Sequence, residues 1–138
     1  MGDFSFYDHV LDLTVALGAV PHRFRNTGSA FDTYFAMARG DGSRNIPAME
    51  MTKWFNTNYH YIVPELSSDQ TFQPSLDWLE DDVALVRRLG FHAKPVLLGP
   101  ITYLALSKDR TEFSRWESLP QLLSLIHISE PTRQAEIS

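Results

Sequence analysis

An extended aromatic segment, then a charged amphipathic helix, then a short apolar run is the feature of this chain that most constrains its fold. Tyr59, Tyr61 and Val63 alternate with His60 and Ile62, the period-two pattern of a strand. After a polar loop over residues 67–74, Ser75 can cap a helix whose apolar stripe is Leu76, Leu79, Val83 and Val86. Asp77, Glu80, Asp81 and Asp82 crowd its first half and Arg87 and Arg88 its last turn, as the helix dipole favours. Gly90 ends it. The run from Lys94 through Val96, Leu97 and Leu98 to Pro100 then reads as a strand buried on both faces. Strand, helix and strand in that order are the βαβ unit of a parallel sheet, so the expected class is α/β.

Length and composition narrow this further. The 138 residues fall well short of the roughly 250 that an eight-stranded α/β barrel takes, so the chain is one domain or part of one. Hydrophobic residues at 43% against 21% charged supply a core and exclude general disorder. A net charge of −5 offers no basic excess to hold a phosphate backbone, so nucleic acid is not an expected partner. Zero Cys removes disulfides, thiolate nucleophiles and Cys-rich zinc sites. No apolar run approaches the roughly 18 residues of a membrane-spanning helix, and the start lacks the regions of a signal peptide, so no membrane partner and a cytoplasmic location are expected.

Ser5 and Asp8 resemble a capping box, and Phe6, Val10, Leu13 and Leu17 recur at helical spacing, predicting a helix over Phe6 to Leu17 with Gly18 and Pro21 as its stop. Arg39 to Asn45 is a polar, glycine-containing loop without the spacing of a phosphate-binding loop. Ile101 to Leu106 and Trp116 to Leu123 can each begin a further helix, and the Gly99-Pro100 turn either lines a pocket or merely shapes the exit from the preceding strand. Most unusual is Met49 to Pro64. It sets Lys53, Trp54, Asn56, Thr57, Asn58 and His60 among aromatics, which suits either a pocket for a flat, polar ligand or a core strand whose polar residues face water.

Three stretches resemble a known family. Glu50 to Glu65, Glu-Met-Thr-Lys-Trp-Phe-Asn-Thr-Asn-Tyr-His-Tyr-Ile-Val-Pro-Glu, is similar to the signature of the amino-terminal domain of cobalamin-independent methionine synthase. Asp3 to Asp12 and Lys94 to Lys108 agree with the same family in the same order, and the likeness covers Asp3 to about Leu123. The resemblance implies a partial (β/α)8 barrel, incomplete at both ends, over residues 1–123. It implies part of a methyltransferase that moves a methyl group from 5-methyltetrahydropteroyltri-L-glutamate to homocysteine, with this chain contributing to the folate and polyglutamate surface. Lys53 and Asn58 are the substrate-binding positions that carry over; no catalytic residue and no metal ligand does. The zinc of the family, and homocysteine with it, belong to a second barrel outside this chain. A polyglutamate tail is a string of carboxylates, for which an ammonium on a flexible stem is an apt partner, and an amide both donates and accepts. Trp54 and Tyr59 are expected to pack; His60 has no assigned role.

Residues 124–138 depart from the family and resemble a translated sequencing adapter, so they are expected to be an unrelated or disordered tail. Two other readings remain at this point, a stand-alone folate- or anion-binding module and a non-functional truncated product.

Overall fold

A computed structural model describes residues 4–110 and 114–125, and the expectation for the tail falls almost wholly outside them. The element order is α1 (His9–Ala16), a 3₁₀ turn (His22–Phe24), α2 (Ala30–Arg39), β1 (Met51–Lys53), β2 (His60–Ile62), β3 (Glu65–Leu66), α3 (Asp77–Arg88), α4 (Pro100–Leu106), β4 (Lys108–Asp109) and a second 3₁₀ turn (Arg115–Ser118) leading into helical residues 119–125. The class is mixed α/β. β1 and β2 pair antiparallel, whereas β3 and β4 pair parallel, with α3 and α4 in the crossover between them.

The first helix is shorter than its apolar spacing suggests because Asp8, not Ser5, caps it. Asp8 is extended (φ −153°, ψ 154°), and its Oδ1 accepts the Leu11 N–H at 2.9 Å. Phe6 consequently lies outside the helix and 58% exposed. At the other end Gly18 takes φ +68°, the left-handed conformation that suits glycine.

α1 and β2 each serve two cores. Val10, Tyr61 and Val63 join Leu66, Phe72, Tyr103, Leu104 and Leu122 on one side. Leu11 and Ile62 join Phe24, Met37 and Met49 on the other. The alternation read from residues 59–63 is thus present, with both faces buried from Tyr61 onward. Asp8 Oδ2 accepts the Ile62 N–H at 3.0 Å, so this one buried carboxylate binds the helix start to the strand. Thr14 and Tyr103, both buried, join hydroxyls at 3.0 Å and tie α1 to α4.

Two expectations are corrected around α3. Its N-cap is Leu76, with no side-chain hydrogen bond; Ser75 lies one residue earlier, and its N–H bonds the Ala16 carbonyl instead. Of the predicted stripe only Leu79 is buried. The run at 94–98 forms no strand: Val96 is 63% and Leu97 40% exposed. The parallel partner of β3 is Lys108–Asp109, where the ladder bonds Lys108 N–H to the Pro64 carbonyl and Arg110 N–H to the Leu66 carbonyl. Ionic contacts favour that choice. Glu65, its side chain only 3% exposed, is held by Arg23 at 2.5 and 2.8 Å and by Arg110 at 2.8 Å. Lys108 pairs with Glu50 at 2.6 Å. A strand–helix–strand crossover is present, but both of its strands differ from the expected ones: the first is β3 rather than residues 59–63, which pair antiparallel with β1, and the second lies about ten residues later than the apolar run.

Burial pushes the Glu65 carboxyl up, but the hydrogen bonds and charges of Arg23 and Arg110 outweigh it and hold the group below its ordinary value of 4.5. The native state then binds fewer protons than the unfolded chain, so this stabilisation is full above pH 4.5 and lost as the pH falls through the lower native value. Glu65→Gln should remove that acid-side loss and cost about 1.5 to 3 kcal/mol at neutral pH, measured by denaturant unfolding across pH 2 to 7. Asp8→Ala, which orphans the Ile62 N–H and uncaps α1, should cost about 2 to 4 kcal/mol in the same assay.

Candidate functional site

The hairpin of β1 and β2 carries the predicted binding residues at its tip. Its register pairs Met51 with Ile62, Thr52 with Tyr61, and Lys53 with His60. The loop closes where the Trp54 N–H meets the Tyr59 carbonyl at 2.7 Å. Inside it the Thr57 N–H (3.2 Å) and hydroxyl (2.6 Å) both donate to the Trp54 carbonyl. The Tyr59 N–H in turn donates to the Thr57 hydroxyl oxygen at 3.2 Å. This tight turn places Phe55 at φ +50°, an uncommon conformation for a bulky residue, with its ring 69% exposed.

The hairpin's root is firmly held. Trp54, half-buried, makes edge-on contacts with Phe55, Tyr59 and Tyr61 at centroid distances of 5.2, 6.4 and 5.9 Å. The Tyr59 hydroxyl accepts the His9 N–H at 3.3 Å, joining the loop to the first residue of α1. Trp54 thus packs against the core as expected, whereas Tyr59 stays 42% exposed and is held by its ring contact with Trp54 and its bond to His9. Burial pushes the Tyr59 and Tyr61 hydroxyls above their ordinary value.

Lys53, Asn58 and His60 are all exposed on this tip. Both carboxylates of the signature are taken by other cations, Glu50 by Lys108 and Glu65 by Arg23 and Arg110. Lys53 has no ion pair among the described residues. The His60 Nδ1 lies 3.0 Å from the Asn58 carbonyl oxygen. The hairpin therefore presents an ammonium, an amide and an imidazole to solvent from a rigid base, an arrangement suited to a polar, anionic ligand.

Lys53 and Asn58 line neither of two cavities that sequence reasoning missed. One, of about 290 Å³, lies between α1, α3 and residues 93–98; the other, of about 490 Å³, lies between Phe4, Phe6, α1, α2 and α3. Trp78, Asp12 and Asp82 border both. The Gly99-Pro100 turn lies at neither, and Pro100 instead starts α4 at a position where proline's missing N–H costs nothing. Among the described residues no three His, Asp or Glu side chains converge as a metal site, so they do not fit the zinc of the resemblance.

Residues 1–128 match the family model described as the amino-terminal domain of cobalamin-independent synthase. The chain belongs to this family. Curated relatives named 5-methyltetrahydropteroyltriglutamate–homocysteine methyltransferase include that of Nitrosomonas europaea, 56% identical over 126 residues, which are 89% of this chain and 16% of the relative. That of Acidithiobacillus ferrooxidans is 54% identical over 112 residues, 80% of this chain and 14% of the relative. That of Syntrophotalea carbinolica is 50% identical over 129 residues, 91% of this chain and 17% of the relative. This segment of a cobalamin-independent synthase amino-terminal domain thus spans about a sixth of the length of the relatives it matches.

Because the aromatic contacts of Trp54 hold the loop to the core, Trp54→Ala should cost about 1 to 3 kcal/mol and release the hairpin tip. Faster hydrogen exchange at the residue-54 and residue-57 amides, with α1 amides unchanged relative to global stability, is the expected signature.

Proposed function

We propose that this chain is part of a (β/α)8 barrel and serves a methyltransferase that carries the methyl group of 5-methyltetrahydropteroyltri-L-glutamate to homocysteine. Its share of the work is binding: the β1–β2 hairpin holds the folate and its polyglutamate tail through Lys53 and Asn58. The observation that carries this reading is that Lys53 stands uncompensated among the described residues while both carboxylates of the signature, Glu50 and Glu65, are neutralised by other cations. An ammonium kept clear of internal partners is available to a ligand carboxylate. The Asn58 side chain, beside it in the loop, can donate to or accept from a pterin or a glutamyl amide.

Homocysteine and the zinc that lowers its thiol pKa would be held by residues outside this chain. The family membership and the relatives' names support the reading.

Lys53→Ala, in the complete enzyme that carries this segment, should weaken folate binding about ten- to a hundredfold with homocysteine binding unchanged, as expected for loss of a charge-assisted hydrogen bond of about 1.5 to 3 kcal/mol. Calorimetric titration should show the loss shrinking as salt rises, and larger for the triglutamate than for the monoglutamate. Unchanged affinity in a folded variant would remove this assignment.

A further inference from the structure

The cross-strand partner of Lys53 has been given no role. His60 lies directly opposite it in an antiparallel pair, so the two side chains leave the same face of the hairpin, with β-carbons about 5 Å apart. The pair is exposed, and β2 dips into the core only one residue later, at Tyr61.

A backbone carbonyl can only accept a hydrogen bond, so the 3.0 Å contact between His60 Nδ1 and the Asn58 carbonyl puts a proton on Nδ1. In the neutral ring Nε2 is then an acceptor. The face thus offers a donor, the Lys53 ammonium, beside an acceptor, the His60 Nε2. A γ-glutamyl unit carries the complementary pair on one carbon: its amide N–H and its free carboxylate are both attached to the same Cα. We propose that Lys53 and His60 together read one such unit, Lys53 Nζ donating to the carboxylate and His60 Nε2 accepting the adjacent amide N–H. The inference rests on the polyglutamate reading above and adds His60 as a residue that recognises the γ-glutamyl linkage rather than charge alone.

The test compares two triglutamate folates of equal charge, one natural and one with its γ-glutamyl amides N-methylated, titrated into the complete enzyme that carries this segment. A single neutral hydrogen bond corresponds to about a two- to tenfold change in affinity. The unsubstituted enzyme should bind the N-methylated ligand weaker by about that factor. His60→Ala should bind the natural ligand weaker to the same extent and show no further loss on N-methylation. His60→Gln, which keeps an acceptor, should retain part of the discrimination. Lys53→Ala should weaken both ligands alike and keep the discrimination. If His60→Ala, shown to be folded by circular dichroism, still discriminates as the unsubstituted enzyme does, the role of His60 is overturned while the polyglutamate reading stands. If Lys53→Ala binds both ligands as tightly as before, that reading fails and this inference with it.

Discussion

A buried carboxylate sets the geometry on which the hairpin depends. Asp8 spends one oxygen on the first turn of α1 and the other on the backbone of β2, so helix and strand share a single anchor across 54 positions of sequence. Burial pushes its pKa up, and the Leu11 and Ile62 amides only partly offset that. A buried charge kept at some electrostatic cost, where a neutral cap would serve the helix alone, makes sense when it must satisfy two amides from different elements. Three residues after Ile62 the chain reaches Glu65, a second buried carboxylate with the opposite balance, its two guanidiniums overcoming desolvation. The hairpin carrying Lys53 and His60 is thus rooted between two acids with different partners.

The local signals in the sequence were legible where the physics is local. Alternation over 59–63, the Gly18 and Gly90 stops, the charge gradient along residues 77–88 and a helix starting near Ile101 all reappear in the fold. Each depends on neighbours within one or two turns. The misses involve distant partners. Ser5 and Ser75 look as good as Asp8 for capping until the Ile62 and Ala16 backbones are in place. The apolar run at 94–98 outranks Lys108–Asp109 on composition, yet the short charged strand pairs with β3 because Arg110 and Lys108 meet Glu65 and Glu50, residues 45 and 58 positions away.

The candidate site at the hairpin tip was legible only in part. The motif singles out Lys53 and Asn58 by resemblance, and the aromatic richness of the segment marks it as unusual. Nothing in the linear text shows that Glu50 and Glu65, the two carboxylates of the signature segment, are occupied by cations from elsewhere. Nor does it show that His60 faces Lys53, since the pairing depends on a loop closed by the Trp54–Tyr59 backbone bond and by the Thr57 N–H and hydroxyl on the Trp54 carbonyl.

The parallel pairing of β3 with β4 also bears on how the chain acquires its structure. The β1–β2 hairpin spans a six-residue loop and can close within microseconds, whereas the two residues of β3 must wait for more than forty residues, including two helices, before β4 arrives. Closing that span carries a larger entropy loss and returns only a two-residue ladder. The guanidinium of Arg110 is therefore a late arrival at Glu65, and Arg23, from the earlier half of the chain, can neutralise that carboxylate beforehand. During synthesis from the amino terminus, the β1–β2 hairpin can therefore take shape before the strand that pairs with β3 has been made.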